Sequence, residues 1–226
     1  MKINKKHVNL NSFFVVSKYI SMHFLCVFIF VLIIKAEVLA NTSDAKYIIY
    51  KNEDTIYAEN GSTGAIEFSG TDASTVIQTS IDALTNGRSW KEKVIIKGEF
   101  DISQYINIPS YTMIEVMGKL TVVGNRNVSR IFDINGSTDT EITGGVLDGN
   151  DTTQSVWNNG ILVTNATMTT IHDIHIKNFR NECIEFKESA DFIIRNVTAE
   201  NSGDDCFSII YNSHNGVIEG NLCKNA

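Results

Sequence analysis

The sequence is poor in proline, in cysteine and in basic residues, and it has no long hydrophobic run. One proline among 226 residues, with a hydrophobic content of 43%, favours a single globular domain that can bury a sizeable core. The longest apolar run, "FLCVFIFVLII", has 11 residues, fewer than the roughly 20 of a membrane-spanning helix. Lysines precede this run and "AEVLA" follows it, so residues 1–40 are predicted to be a secretory signal peptide. An uncleaved membrane anchor is the alternative, and the chain is otherwise expected to be secreted or held at the cell surface.

Basic residues are scarce beyond this segment. Once the five lysines and one glutamate of residues 1–40 are removed, 14 basic and 25 acidic residues remain, a formal charge of −11. This charge disfavours nucleic acid and anionic membrane surfaces as partners, and it argues against a strongly anionic substrate. Secretion would permit disulfides, but the three remaining cysteines leave at least one thiol free or paired elsewhere.

Three stretches, "NNGILVTNA", "NECIEFKES" and "DDCFSIIYN", repeat the same pattern. Ile161, Ile184 and Phe207 follow one another at intervals of 23 residues. Short strands between polar turns cannot bury a face alone, but they can when they stack. The sequence therefore predicts an all-β fold, a right-handed parallel β-helix with about 23 residues per coil. A leucine-rich solenoid would need a leucine spacing that is absent, and a β-sandwich would not hold so regular a register.

A helix is predicted ahead of the repeats, in "DASTVIQTSIDALTNG". Thr75 and Gln78 fit a capping box, and Gly87 fits the end of the helix. Four apolar residues fall on one face at helical spacing: Val76, Ile77, Ile81 and Leu84. Such a helix would cap the first coil of the solenoid. The predicted organisation is thus an N-terminal extension over residues 41–69 and a β-helix over residues 70–226.

The repeats bring polar residues of successive coils into register. They place Asn158, Asn181 and Asp204 in one column, and Arg130, Asn159, Glu182 and Asp205 in the next. Glu182, Asp204 and Asp205 are thereby predicted to share one surface, which we call the acid patch. Close like charges raise at least one pKa, and a protonated acid beside an ionised carboxylate is what glycoside hydrolysis requires. Two alternatives are that these residues only bond neighbouring backbone amides, or that the acids bind calcium.

The motif "NSGDDCFSI" resembles the second signature of the polygalacturonases, glycoside hydrolase family 28. The predicted helix followed by "KVIIKGEF" is similar to the start of the pectate-lyase-like superfamily of β-helices. By this resemblance Asp204 would be the general acid of an inverting mechanism, and Glu182 and Asp205 would hold the attacking water. The resemblance also implies a disulfide between Cys206 and Cys223.

The sequence departs from the family at one coil and lacks two other signatures. The family has Asn-Thr-Asp-Gly where this chain has "RNEC", so Glu182 stands at the position of that motif's aspartate. The Gly-His-Gly and Arg-x-Lys signatures would fall beyond Ala226, which predicts a fragment of a longer hydrolase-like chain. The predicted function is hydrolysis of an extracellular polysaccharide without a cofactor, with Arg130, Asn159 and Asn181 binding substrate. The alternative is a non-catalytic cell-surface or adhesion module that binds glycans.

Overall fold

The computed structural model describes residues 44–123, 128–151 and 156–226, and the predicted signal peptide lies outside them. The described chain is a β-solenoid of about five turns with one helix, which confirms the predicted all-β solenoid. Its strands form a sheet of thirteen strands and a sheet of five, here called the large sheet and the small sheet. No helix among these residues is long and apolar enough to span a membrane.

The two sheets share the strands as follows. The large sheet contains β1 (Tyr47–Asn52), β2 (Thr55–Asn60), β3 (Ile66–Gly70), β4 (Glu92–Ile102), β6 (Thr112–Val122), β8 (Thr138–Thr143), β9 (Val146–Asp148), β11 (Thr167–His172), β12 (His175–Phe179), β14 (Ile193–Arg195), β15 (Thr198–Ser202), β17 (Val217–Glu219) and β18 (Leu222–Lys224). The small sheet contains β5 (Ile106–Asn107), β7 (Arg130–Asn135), β10 (Asn159–Thr164), β13 (Ile184–Lys187) and β16 (Phe207–Ile210).

Stacked aliphatic side chains fill the interior. Val94 pairs with Ile114, Ile114 with Ile142, Ile142 with Ile171, and Ile171 with Ile194, all in parallel register and all fully buried. Equivalent residues of successive turns therefore lie one above the other, about 4.8 Å apart, and each turn covers the apolar face of the one before it.

The small sheet follows the register of the sequence repeats. Phe132 pairs with Ile161, Ile161 with Ile184, and Ile184 with Phe207. The first of these intervals is 29 residues and the next two are 23. The difference in length falls in the sequence between β9 and β10, and the pairing of the strands on either side keeps its register.

Strands β4 and β6 run around a corner of the solenoid at Gly98 and Gly118. The two glycines pair with each other, and Gly98 has a φ of 125°, which L side chains rarely adopt. A Cβ on Gly118 would lie far inside van der Waals contact of the Gly98 carbonyl oxygen. Only glycine lets the two backbones approach so closely at this corner.

Gly118→Ala is therefore expected to destabilise the fold by about 1–3 kcal/mol, the usual cost of overpacking a tight site. Urea unfolding followed by circular dichroism measures the change. Met117→Ala is the matched control, because Met117 is the preceding residue of the same strand and is exposed. Its effect should stay within about 0.5 kcal/mol. Equal stability of the two variants would contradict the close approach at this corner.

The helix α1 (Ala73–Asp82) lies where the sequence predicts one, but its cap is different. The N-cap is Asp72, whose carboxylate accepts a hydrogen bond from the Thr75 backbone N–H at 2.8 Å. The predicted capping box of Thr75 and Gln78 is wrong, because Asp72 is an equally good cap one turn earlier. Gln78 instead accepts a hydrogen bond from the backbone N–H of Asn107 at 2.7 Å, which ties the helix to β5.

The apolar face of the helix is confirmed, since Val76, Ile77, Ile81 and Leu84 are all buried in the core. The helix ends at Asp82, before the predicted stop at Gly87. Strands β1 to β3 lie in the region predicted as an N-terminal extension, where the sequence pattern indicates no strands. Strand β1 pairs in parallel with β4 and antiparallel with β2, so this region continues the large sheet.

Candidate functional site

The acid patch lies at the turns that lead into the strands of the small sheet. The backbone N–H of Gly160 donates to the carbonyl of Glu182 at 3.1 Å, and that of Cys183 donates to the carbonyl of Asp205 at 3.2 Å. The residues Asn159, Glu182 and Asp205 therefore occupy matching positions on three successive turns. Strand pairing adds Arg130 opposite Asn159 on the turn below.

Glu182 is the buried member of the acid patch. Its exposed fraction is 7%, and its carboxylate accepts a hydrogen bond from the side-chain amide of Asn181. Burial raises the pKa of Glu182, and the negative charges of Glu185 and Asp204 raise it further. Glu182 therefore binds a proton more readily than an exposed glutamate does.

Asp204 and Asp205 are exposed and lie beside Glu182. The backbone around them is fixed by Ser202, a buried residue that was missed in the sequence-based prediction. The Ser202 hydroxyl oxygen lies 2.6 Å from the Asn181 carbonyl oxygen and 2.7 Å from that of Asp205. A single hydroxyl therefore links the two turns that carry the acids.

Glu185 is a fourth carboxylate at this site, and sequence reasoning missed it. Its exposed fraction is only 4% although it points to the outer face of β13. It accepts a hydrogen bond from the Asn159 side-chain amide at 2.6 Å and forms an ion pair with Lys187 at 2.7 Å. The available signal was the alternation along β13, because an acid between the apolar residues Ile184 and Phe186 faces the opposite side of the strand.

The three predicted substrate-binding residues already bind protein groups. The Arg130 guanidinium lies 3.1 Å from a carboxylate oxygen of Asp133 and 4.5 Å from the ring centroid of Tyr105. The side-chain amide of Asn181 donates to the Asn159 side-chain oxygen at 2.9 Å. These contacts join the turns of the site into one polar network.

The remaining side chains of the acid-patch turns are structural. Cys206 and Cys223 form a disulfide, whereas Cys183 is a free, fully buried thiol whose pKa burial raises to about 12. Cys183 is therefore protonated at neutral pH and unsuited to nucleophilic chemistry. Within the described ranges, no group of three or more His, Cys, Asp or Glu side chains is arranged to hold a metal ion.

Glu185→Gln is expected to lower the pKa of Glu182, because the substitution removes one of the negative charges that raise it. The pKa can be followed by carbon-13 NMR titration of the side-chain carboxyls. The matched control is Glu99→Gln, since Glu99 is exposed and lies on the large sheet. A Glu182 titration that is the same in both variants would show that Glu185 does not act on it.

Comparison with known proteins identifies the fold and no family. No family model matches the chain, and no curated protein matches it. Among solved structures, the chain is similar to one from Parabacteroides merdae described as a "putative glycosyl hydrolase", at a TM-score of 0.50 and 14% sequence identity. The match covers 69% of this chain and 90% of that one. The chain thus has a β-solenoid fold like that of a protein described as a glycosyl hydrolase.

Proposed function

We propose that this protein hydrolyses glycosidic bonds of an extracellular polysaccharide at the acid patch. The observation that carries the proposal is the buried carboxyl of Glu182 beside the carboxylates of Glu185 and Asp204. A site where burial and neighbouring negative charge favour the protonated form of one carboxyl, with exposed carboxylates beside it, has the pair of groups that glycoside hydrolysis uses. The description of the solved relative as a glycosyl hydrolase agrees with this chemistry.

The proposed mechanism is inverting. Glu182 donates its proton to the glycosidic oxygen while the bond from that oxygen to the anomeric carbon breaks. Asp204 and Asp205 together hold a water molecule, which forms the new bond to the anomeric carbon from the opposite face while one of these carboxylates accepts the proton that it loses. Arg130, Asn159 and Asn181 hold the sugar, and their existing hydrogen bonds keep these side chains in place for it.

This assignment of roles differs from the one that the polygalacturonase resemblance implies, in which Asp204 is the general acid. The difference rests on environment, because Glu182 is buried among acidic neighbours and Asp204 is exposed. Glutamate at this position also reaches about one methylene farther than the aspartate of the family motif. A longer arm brings the carboxyl closer to a leaving oxygen above the sheet.

We also propose the handedness of the coil, its length and the role of the helix. We infer a right-handed coil, since parallel strands joined by a crossover are right-handed in about 98% of cases. The proposed coil length is about 23 residues over the last turns, where the paired positions keep that interval. Helix α1, with its apolar face buried against the first strands, would cap the coil.

Secretion is proposed on two grounds. Residues 1–40 have the sequence pattern of a signal peptide, and the Cys206–Cys223 disulfide suits an oxidising compartment. The proposed partner is a polysaccharide or surface glycan, not nucleic acid. The protein would be attached to a membrane only through an uncleaved signal segment. A protein placed there meets the polymers that the acid patch is proposed to cleave.

The test is an incubation of the purified protein with a panel of plant and microbial polysaccharides, with release of reducing ends as the measurement. Proton NMR of the first product gives its anomeric configuration, which inversion would reverse. Asp205→Asn should lose activity, whereas Asp101→Asn, the same change at an exposed site on the large sheet, should keep it. Binding without release of reducing ends would favour the non-catalytic module, and neither binding nor release would contradict both functions.

A further inference from the structure

The basic residues of the small sheet are neutralised by carboxylates of the protein itself. The five strands of this sheet carry two basic residues, Arg130 and Lys187. Arg130 pairs with Asp133 at 3.1 Å, and Lys187 pairs with Glu185 at 2.7 Å. Both carboxylates are buried while the basic side chains are partly exposed, so salt screens each pair less than it screens a fully exposed ion pair.

Arg180, in the turn before β13, also lies near a carboxylate, 3.4 Å from an oxygen of Asp151, but both side chains of this pair are exposed. The acid patch has no such pair. Among the described residues, Glu182, Asp204 and Asp205 form no ion pair with a basic side chain. The face of the small sheet therefore combines paired cations with unpaired acids, and its electrostatic balance is negative.

A sugar carboxylate would bind poorly on such a face. Recognition of a carboxylate favours an arginine whose guanidinium fork can reach it, and the fork of Arg130 is already occupied by Asp133. A uronic acid would also lie beside the exposed carboxylates of Asp204 and Asp205, where like charges repel.

Uncharged groups on the same face can hold a neutral sugar. The partly exposed side-chain amide of Asn181 lies on this face and can form a hydrogen bond with a sugar hydroxyl. One aromatic side chain lies at the start of the same sheet: Tyr105 is 42% exposed, and its ring centroid is 4.5 Å from the Arg130 guanidinium. Aromatic surfaces with a few placed polar groups are typical of ligand sites, and none of these groups requires a charged ligand.

From these contacts we propose that the small-sheet face selects uncharged polysaccharides and rejects polymers of uronic acids. The inference rests on the proposed function and names its substrate class. It departs from the polygalacturonase resemblance, which would imply a uronate polymer.

The experiment compares binding of matched polymers by affinity gel electrophoresis and calorimetry. One pair is polygalacturonate and its fully methyl-esterified form, which have the same backbone and differ in charge; xylan, galactan and β-glucan extend the neutral set. The wild-type protein is expected to bind a neutral polymer at least about tenfold more tightly than a uronate polymer. The difference should shrink as salt is raised, because salt screens the repulsion.

Asp133→Asn sharpens the test, since it frees the guanidinium of Arg130. Uronate binding should rise several-fold in this variant, and Asp101→Asn, with the same charge change on the large sheet, should leave it unchanged. Glu185→Gln, which frees Lys187, provides a second variant if circular dichroism shows that Asp133→Asn is unfolded. Tighter binding or faster cleavage of polygalacturonate by the wild-type protein would overturn the inference while leaving glycoside hydrolysis standing. Absence of binding and cleavage for every polymer would instead contradict the proposed function.

Discussion

Glu182→Gln is expected to lower kcat on the polysaccharide substrate by about 10²–10⁴-fold, the usual contribution of a general acid. Glutamine keeps the size of the side chain and can still accept the hydrogen bond from Asn181, but it has no proton to give to the leaving oxygen. KM should change little, because the lost interaction is one that acts in the transition state. Steady-state release of reducing ends measures both constants.

A substrate with a better leaving group distinguishes the role of Glu182 from that of Asp204. An aryl glycoside of the same sugar leaves as a stable phenolate and needs little proton donation. If Glu182 is the acid, Glu182→Gln should therefore lose much less activity on the aryl glycoside than on the polysaccharide, and Asp204→Asn should lose activity on both. The reverse pattern would return the role of acid to Asp204, as the family resemblance implies. Glu99→Gln serves as the control with wild-type activity on both substrates.

Glu182→Gln should also stabilise the protein at neutral pH. The pKa of Glu182 is raised in the folded state, so folding favours its protonated form. That contribution is complete below the unfolded pKa and is lost as pH rises through the folded pKa. The variant should match the wild type near pH 4 and exceed its free energy of unfolding by about 0.5–2 kcal/mol near pH 7, a size common for functional residues. Equal stability at both pH values would contradict the burial argument.

The repeats of the sequence predict the solenoid because its core is periodic. Ile161, Ile184 and Phe207 pair as their spacing indicates, since a parallel ladder places equivalent residues above one another. The helix is recognisable for a similar reason, as its apolar residues at helical spacing must face the core. The N-cap of the helix cannot be recognised in the same way, because Asp72 and Thr75 are both suitable N-cap residues. Only tertiary contacts, such as that of Gln78 with Asn107, decide between them.

The candidate site likewise has residues that the sequence period predicts and residues that it does not. Glu182, Asp204 and Asp205 could be brought together from register alone, because they precede equivalent strands. The burial of Glu185 could not be predicted in this way, since its contacts with Lys187 and Asn159 are made between side chains that the repeat does not specify. Strands β1 to β3 have no counterpart in the repeats, so no periodic signal marks them. The features of the site that the sequence period does not predict thus depend on side-chain contacts between turns.

Cys223→Ser is expected to lower the free energy of unfolding by about 3 kcal/mol. The Cys206–Cys223 disulfide closes a loop with a sequence separation of 17 residues, and a loop of about that length restricts the unfolded chain by roughly this amount. The bond joins the turn before β16 to β18, so it ties the acid-patch turn to the large sheet. Loss of the bond should therefore loosen Asp204 and Asp205 as well as destabilise the fold.

Urea unfolding with and without a reductant tests this directly. Dithiothreitol should shift the wild-type transition to the position of Cys223→Ser, and it should leave the variant where it is. Cys223 is exposed, so serine there creates no cavity, and the comparison isolates the covalent bond. If the wild type and the variant unfold together without reductant, the disulfide contributes nothing to stability. Because Cys183 is buried and protonated, it should not exchange with the disulfide, and the wild-type result should be the same after days in solution.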